Sequence, residues 1–160
     1  MNNPSTLVMA FALTVVLLNV SFSQDEHEKS AAKYDAELAE RLGADEYGMK
    51  SYVLVVLKTG KAEIKDEEKS KKIFAGHFAN MSRLAKKGKL VLSGPLIDVA
   101  PKRGIYVFNV TTIEEAEKLV KTDPAVEAGV FEYELMKFYC SAALMKINEI
   151  HSKVQKTKIE

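Results

Sequence analysis

The chain has 160 residues, 47% hydrophobic and 28% charged, the composition of one ordinary globular domain with short appendages. Its 23 Lys and Arg nearly balance 22 Asp and Glu, and the signs are interleaved, as in Asp66-Glu67-Glu68 ahead of Lys69, Lys71 and Lys72. A nucleic-acid surface, which needs a clustered basic excess, is therefore not expected. Cys140 is the only cysteine, which excludes an intramolecular disulfide and a zinc site of the multi-cysteine type.

Residues 1–23 carry no charged side chain. The apolar run from Leu7 to Val20 is short for a helix that crosses a bilayer. Ser21-Phe22-Ser23 then supplies the small-x-small pattern of a signal-peptidase site. This segment is expected to be a signal peptide cleaved before Gln24, giving an exported (periplasmic or secreted) chain with no stable membrane span. Because no Lys or Arg precedes Leu7, the alternative is an uncleaved anchor. Residues 24–48 read as a polar linker, with His27 among acids as part of a solvated tether rather than a metal ligand. Within the linker, Asp35 to Leu42 is a short helix with Asp35 as N-cap and Gly43 as its stop.

The main domain is expected over residues 49–140. Tyr52–Leu57 is an unbroken apolar, β-rich run, expected of a strand buried on both faces. Glu67–Lys87 is an amphipathic helix whose apolar face carries Ile73, Phe74, Phe78, Met81 and Leu84, and Gly88 stops it. His77 falls on that face, four residues after Ile73 and four before Met81. A titratable ring there is either a hydrogen-bonded packing residue or part of a site. Lys89–Ser93 is a second strand leading into a Gly94-Pro95 turn. Pro101-Lys102-Arg103-Gly104 reads as a turn-like connection, and Ile105–Val110 is the third strand.

Thr112 and Glu115 form a capping box opening a helix through Ala116, Leu119 and Val120. Asp123-Pro124 starts a short helical turn ending at Gly129, with Asp as N-cap and Pro at the first helical position. Val130–Tyr139 is the last strand; Phe131, Tyr133 and Leu135 face one side, Glu132 and Glu134 the other. Cys140, at its end, is expected to be buried and inert. Residues 141–160 read as a helical basic tail with Leu144, Ile147 and Ile150 on one face.

The order strand–helix–strand–strand–helix–strand predicts an α+β, ferredoxin-like antiparallel sheet with helices on one face. Its first and third strands are central, which matches their two-sided apolar sequences. Two helices cover only one sheet face. The apolar residues of the other face would be exposed in a monomer, so a homodimer packed sheet against sheet is expected.

His77 with Leu84, then Gly88-Lys89-Leu90, Gly94-Pro95, Arg103-Gly104, Glu114-Glu115-Ala116, Asp123-Pro124 and Gly129-Val130 together resemble the YCII-related family, from about Met49 to Tyr139. The resemblance implies the dimeric α+β barrel superfamily, which includes muconolactone isomerase and ring-cleaving or dehalogenating relatives. It also implies that His77 and Asp123 form the active-site pair. The signal peptide, the 35–43 segment and the extended tail depart from the commoner cytoplasmic form.

Were His77 and Asp123 to meet, the carboxylate would fix the imidazole tautomer and leave the second nitrogen to move a proton. That suits a small enolic, lactone or halogenated ring substrate. Ser93, Gly94 and Arg103 are the candidate substrate-binding residues, through a hydrogen bond, a close backbone approach and an anion contact. Their ordinary alternatives are a strand-end serine, a turn glycine and a solvated arginine. No serine-centred elbow, phosphate loop or metal-ligand cluster is present, so no cofactor or metal is expected. The competing reading is a non-catalytic exported dimer that binds a small molecule or a protein partner, with His77 merely buried.

Overall fold

A computed structural model describes residues 33–157, so the expected signal peptide, its cleavage site and His27 lie outside the described residues. The Asp35 carboxylate accepts the Leu38 N–H at 2.9 Å and opens α1 (Ala36–Leu42), which Gly43 ends in a left-handed conformation. No α1 residue is buried; the helix rests against the C-terminal 3-10 segment described below. β1 (Met49–Thr59) follows, with Tyr52, Val53, Val55, Val56 and Leu57 buried. α2 (Glu67–Lys86) is capped by Asp66, whose carboxylate accepts the Lys69 N–H.

β2 (Leu90–Pro95) and β3 (Lys102–Phe108) form an antiparallel hairpin. The Thr112 hydroxyl accepts the Glu115 N–H to open α3 (Ile113–Val120), and Asp123 caps the single turn of α4 (Pro124–Glu127). β4 (Phe131–Ser141) leads into a 3-10 segment, Ala142–Lys146, and then α5 (Ile147–Val154). The sheet order is β2-β3-β1-β4, all antiparallel, with β1 and β3 central: the ferredoxin-like arrangement.

The hairpin departs from its sequence reading. Gly94 pairs with Ile105 and Pro95 with Gly104, so Gly94-Pro95 and Arg103-Gly104 belong to strands, and the turn lies between them. Pro95 is tolerated because β2 is an edge strand and needs no second ladder donor. Leu90 and Leu92 oppose the consecutive residues Phe108 and Val107, leaving Val91 as the extra residue of a bulge. The third strand stops at Phe108, two residues short of the expected end.

The helix-side core gathers Val53, Val55 and Leu57 of β1, Tyr106 and Phe108 of β3, Leu84 of α2 and Val120 of α3. Each such side chain contributes about 1.5–3 kcal/mol by leaving water. The opposite sheet face holds a second cluster, Tyr52, Val91 and Val107, joined by Phe138 and Cys140. Leu144 and Met145 of the 3-10 segment pack onto it. The tail expected as one amphipathic helix is thus two pieces with different partners. Ser141 caps the 3-10 turn that seats Leu144 against the sheet, whereas Ile150 in α5 is 57% exposed.

Candidate active site

The site starts from a glycine inside a helix. Gly76 costs α2 about 1 kcal/mol relative to alanine, but a Cβ there would stand 3.0 Å from Pro124 Cγ. Its absence lets α4 approach α2 closely. One residue ahead of Asp123, the Thr122 hydroxyl meets the Asn80 side-chain oxygen at 3.1 Å and accepts from Arg83 at 3.0 Å, tying the α3–α4 connection to α2. Asp123 is thereby delivered beside His77, the residue following Gly76.

His77 Nδ1 lies 2.8 Å from Asp123 Oδ2 and 3.0 Å from Oδ1. Asp123 is fully buried, and Oδ1 also accepts the Ala125 N–H at 2.9 Å, so one carboxylate both caps α4 and holds the imidazole. The Tyr106 hydroxyl donates to Oδ2 at 2.8 Å and lies 3.3 Å from His77 Nδ1. Burial pushes the Asp123 carboxyl up, but the hydrogen bond and charge of His77, the Ala125 N–H and the Tyr106 hydroxyl outweigh it and hold it below the ordinary carboxylate value. Burial, then the Asp123 charge and hydrogen bond, push the Tyr106 phenol well above its ordinary value, so it stays a neutral donor.

With Asp123 acting as acceptor, Nδ1 carries the proton and Nε2 is left as the basic nitrogen. Nε2 has no hydrogen-bond partner among the described residues, yet no fully buried side-chain polar atom among them lacks one. Nε2 therefore reaches open space. Around the ring stand Phe78, Phe131 and Phe74, with centroids 5.3, 5.5 and 6.2 Å from that of His77 and edge-on geometry.

That space is a cavity of about 750 Å³ between α2, the β2–β3 hairpin and α5. His77, Ser93, Gly94 and Arg103 all border it, so the structure brings four of the five sequence-derived candidates to one surface. The fifth, Asp123, does not border it and stands behind His77, on the Nδ1 side of the ring. Most of the wall is apolar, with Phe74, Phe78, Met81 and Leu92 prominent. Among the described residues no cluster of His, Cys, Asp and Glu could hold a metal ion.

Sequence reasoning missed Tyr106 and His151. The phenol lay within a strand read as simply apolar; its signal was that a buried Tyr hydroxyl needs an acceptor. His151, one turn after Ile147 on α5, borders the cavity from the tail, outside the domain expected over residues 49–140.

The model of the YCII-related domain family matches residues 51–139, more than half of the chain. The chain belongs to this family. His77, Tyr106 and Asp123 fall inside the matched range; α5 falls outside it. No curated protein matches the chain. Among solved structures, 5-chloro-2-hydroxyhydroquinone dehydrochlorinase from Burkholderia phenoliruptrix, in complex with 2,5-dihydroxybenzoquinone, is similar with 16% identity and a TM-score of 0.41, over 54% of this chain and 92% of that chain.

Proposed function

We propose that this YCII-family protein is an exported, homodimeric small-molecule enzyme in which His77 moves a proton on a small enolic, lactone or halogenated ring substrate. The observation that carries the reading is the division of the imidazole: Nδ1 is locked onto buried Asp123, while Nε2 has no partner among the described residues and the ring borders a mostly apolar cavity of about 750 Å³. Small-molecule sites have this size and character. A histidine enclosed in the core has its ring nitrogens hydrogen-bonded, whereas a nitrogen open to a cavity is free to meet a ligand.

In this mechanism Nε2 takes a proton from a carbon or hydroxyl of the substrate, and the bonding electrons pass to a substrate oxygen as an enolate. Asp123 stabilises the imidazolium without taking its proton. Arg103 and Ser93 supply charge and a hydrogen bond to the developing oxyanion, and Gly94 leaves room for the ring. The imidazolium then returns the proton at another position, or the enolate expels a leaving group.

The test is turnover across a panel of enol lactones, hydroquinones and chlorinated hydroquinones, compared with His77→Asn. The asparagine amide reaches the position of Nδ1 and keeps Asp123 partnered, but nothing replaces Nε2. The variant should melt like the wild type and lose about 10²–10⁴-fold in turnover. Turnover that survives intact overturns the assignment. The export part is checked by mass spectrometry of the mature N-terminus, which should begin at Gln24.

A further inference from the structure

The cavity has an unequal wall. Among the described residues the ionisable side chains that border it are His77, Arg103 and His151, with no Asp or Glu. Arg103 enters no salt bridge or side-chain hydrogen bond among the described residues, although eight ion pairs form elsewhere in them. The side chain of His151 is likewise without a partner among them, and it is exposed at the margin of the cavity. In a chain with nearly equal acids and bases, a ligand-sized, mostly apolar hollow whose ionisable border among the described residues is basic favours a negatively charged occupant.

α5 is held in place independently of any ligand. The Asn148 side-chain amide donates to the Leu90 carbonyl at 2.8 Å, on the free edge of β2, and covers part of that edge. The preceding segment is anchored by buried Ala142 and by Leu144 and Met145 on the sheet. Ile147 and His151, four residues apart, then present one face of α5 to the hollow. These residues lie beyond the range that the family model matches, so this part of the site is built by the chain's own tail.

Building on the proposed function, we infer that α5 makes this cavity a site for a small ring acid: His151 and Arg103 hold its carboxylate or phenolate, while the ring lies among Phe74, Phe78 and Phe131 beside His77. An imidazole N–H and a guanidinium are both donors that match such an oxygen pair. The enzyme would thus take ring acids over the corresponding neutral compounds, with His151 of the tail joining Arg103 of the family domain in setting that choice.

The test uses the purified protein and two probes of nearly equal shape, 2-naphthoate and its neutral amide 2-naphthamide, titrated by intrinsic fluorescence. The naphthoate should bind about tenfold more tightly. His151→Leu and Arg103→Gln should each reduce naphthoate affinity about fivefold or more and leave naphthamide affinity and the melting temperature unchanged. Equal binding of the two probes, binding of neither, or a naphthoate preference that survives His151→Leu overturns the inference. His77→Asn should keep the preference. Loss of turnover in that variant alongside equal probe binding would sink the ring-acid inference and spare the acid/base reading. An intact preference with unaltered turnover would do the reverse.

Discussion

Asp123 shows how one residue can carry two demands that compete on paper. An aspartate before proline is fully explained as an N-cap, and the Ala125 N–H does occupy Oδ1. Oδ2 remains for the imidazole and for Tyr106, so capping positions the carboxylate that orients His77. Tyr106→Phe removes one donor from a buried anion, which should cost about 1–3 kcal/mol in a urea titration. It should also move acid unfolding. The folded Asp123 carboxyl lies below its ordinary value of 3.8, so its stabilisation is complete above that pH and is lost as pH falls through the folded value. Without the Tyr106 hydroxyl the folded value rises, and the acid midpoint should shift to higher pH. A midpoint that stays put, or moves to lower pH, would show that the phenol does not support the charged form.

At the scale of elements, the juncture of α2 and α4 decides the geometry, and it was only half visible in the sequence. The apolar stripe, the caps at Thr112 and Asp123 and the stop at Gly88 are local signals, and local signals survive folding. Gly76 was silent because a glycine inside a helical pattern acquires meaning only from what packs against it, here Pro124. Gly94-Pro95 and Arg103-Gly104 misled for the opposite reason: their turn chemistry is real, but an edge strand with one free side accommodates it. Gly76→Ala should recover helix propensity and lose it again against the Pro124 ring, leaving stability within about 1 kcal/mol of wild type. Displacing α4 by a few tenths of an ångström should still loosen the His77–Asp123 pair, and turnover should fall about tenfold. Activity equal to wild type would mean that the spacing of the two helices does not govern the pair.

The whole molecule raises the question of what covers the second sheet face. The unbroken apolar runs of β1 and β3 marked that face as apolar, yet they could not show that the chain's own Leu144 and Met145 cover one end of it, because a tail's partner is a long-range property. What remains for a second copy is a shorter strip. Leu54 faces Met136 on one side and Val107 on the other, and Val56 faces Ile105. Met136 is 41% exposed, and Lys58 pairs with Glu134 at 2.7 Å beside Val56. A sheet-to-sheet homodimer would bury Met136 in the interface, where an added charge is poorly tolerated. Met136→Lys should therefore halve the mass measured by light scattering at micromolar concentration. Its own melting temperature should depend less on concentration than that of the wild type, since a dissociated subunit gains nothing from mass action. A wild-type protein that is already monomeric under those conditions would remove the dimer from the proposal and leave the tail as the principal cover of that face.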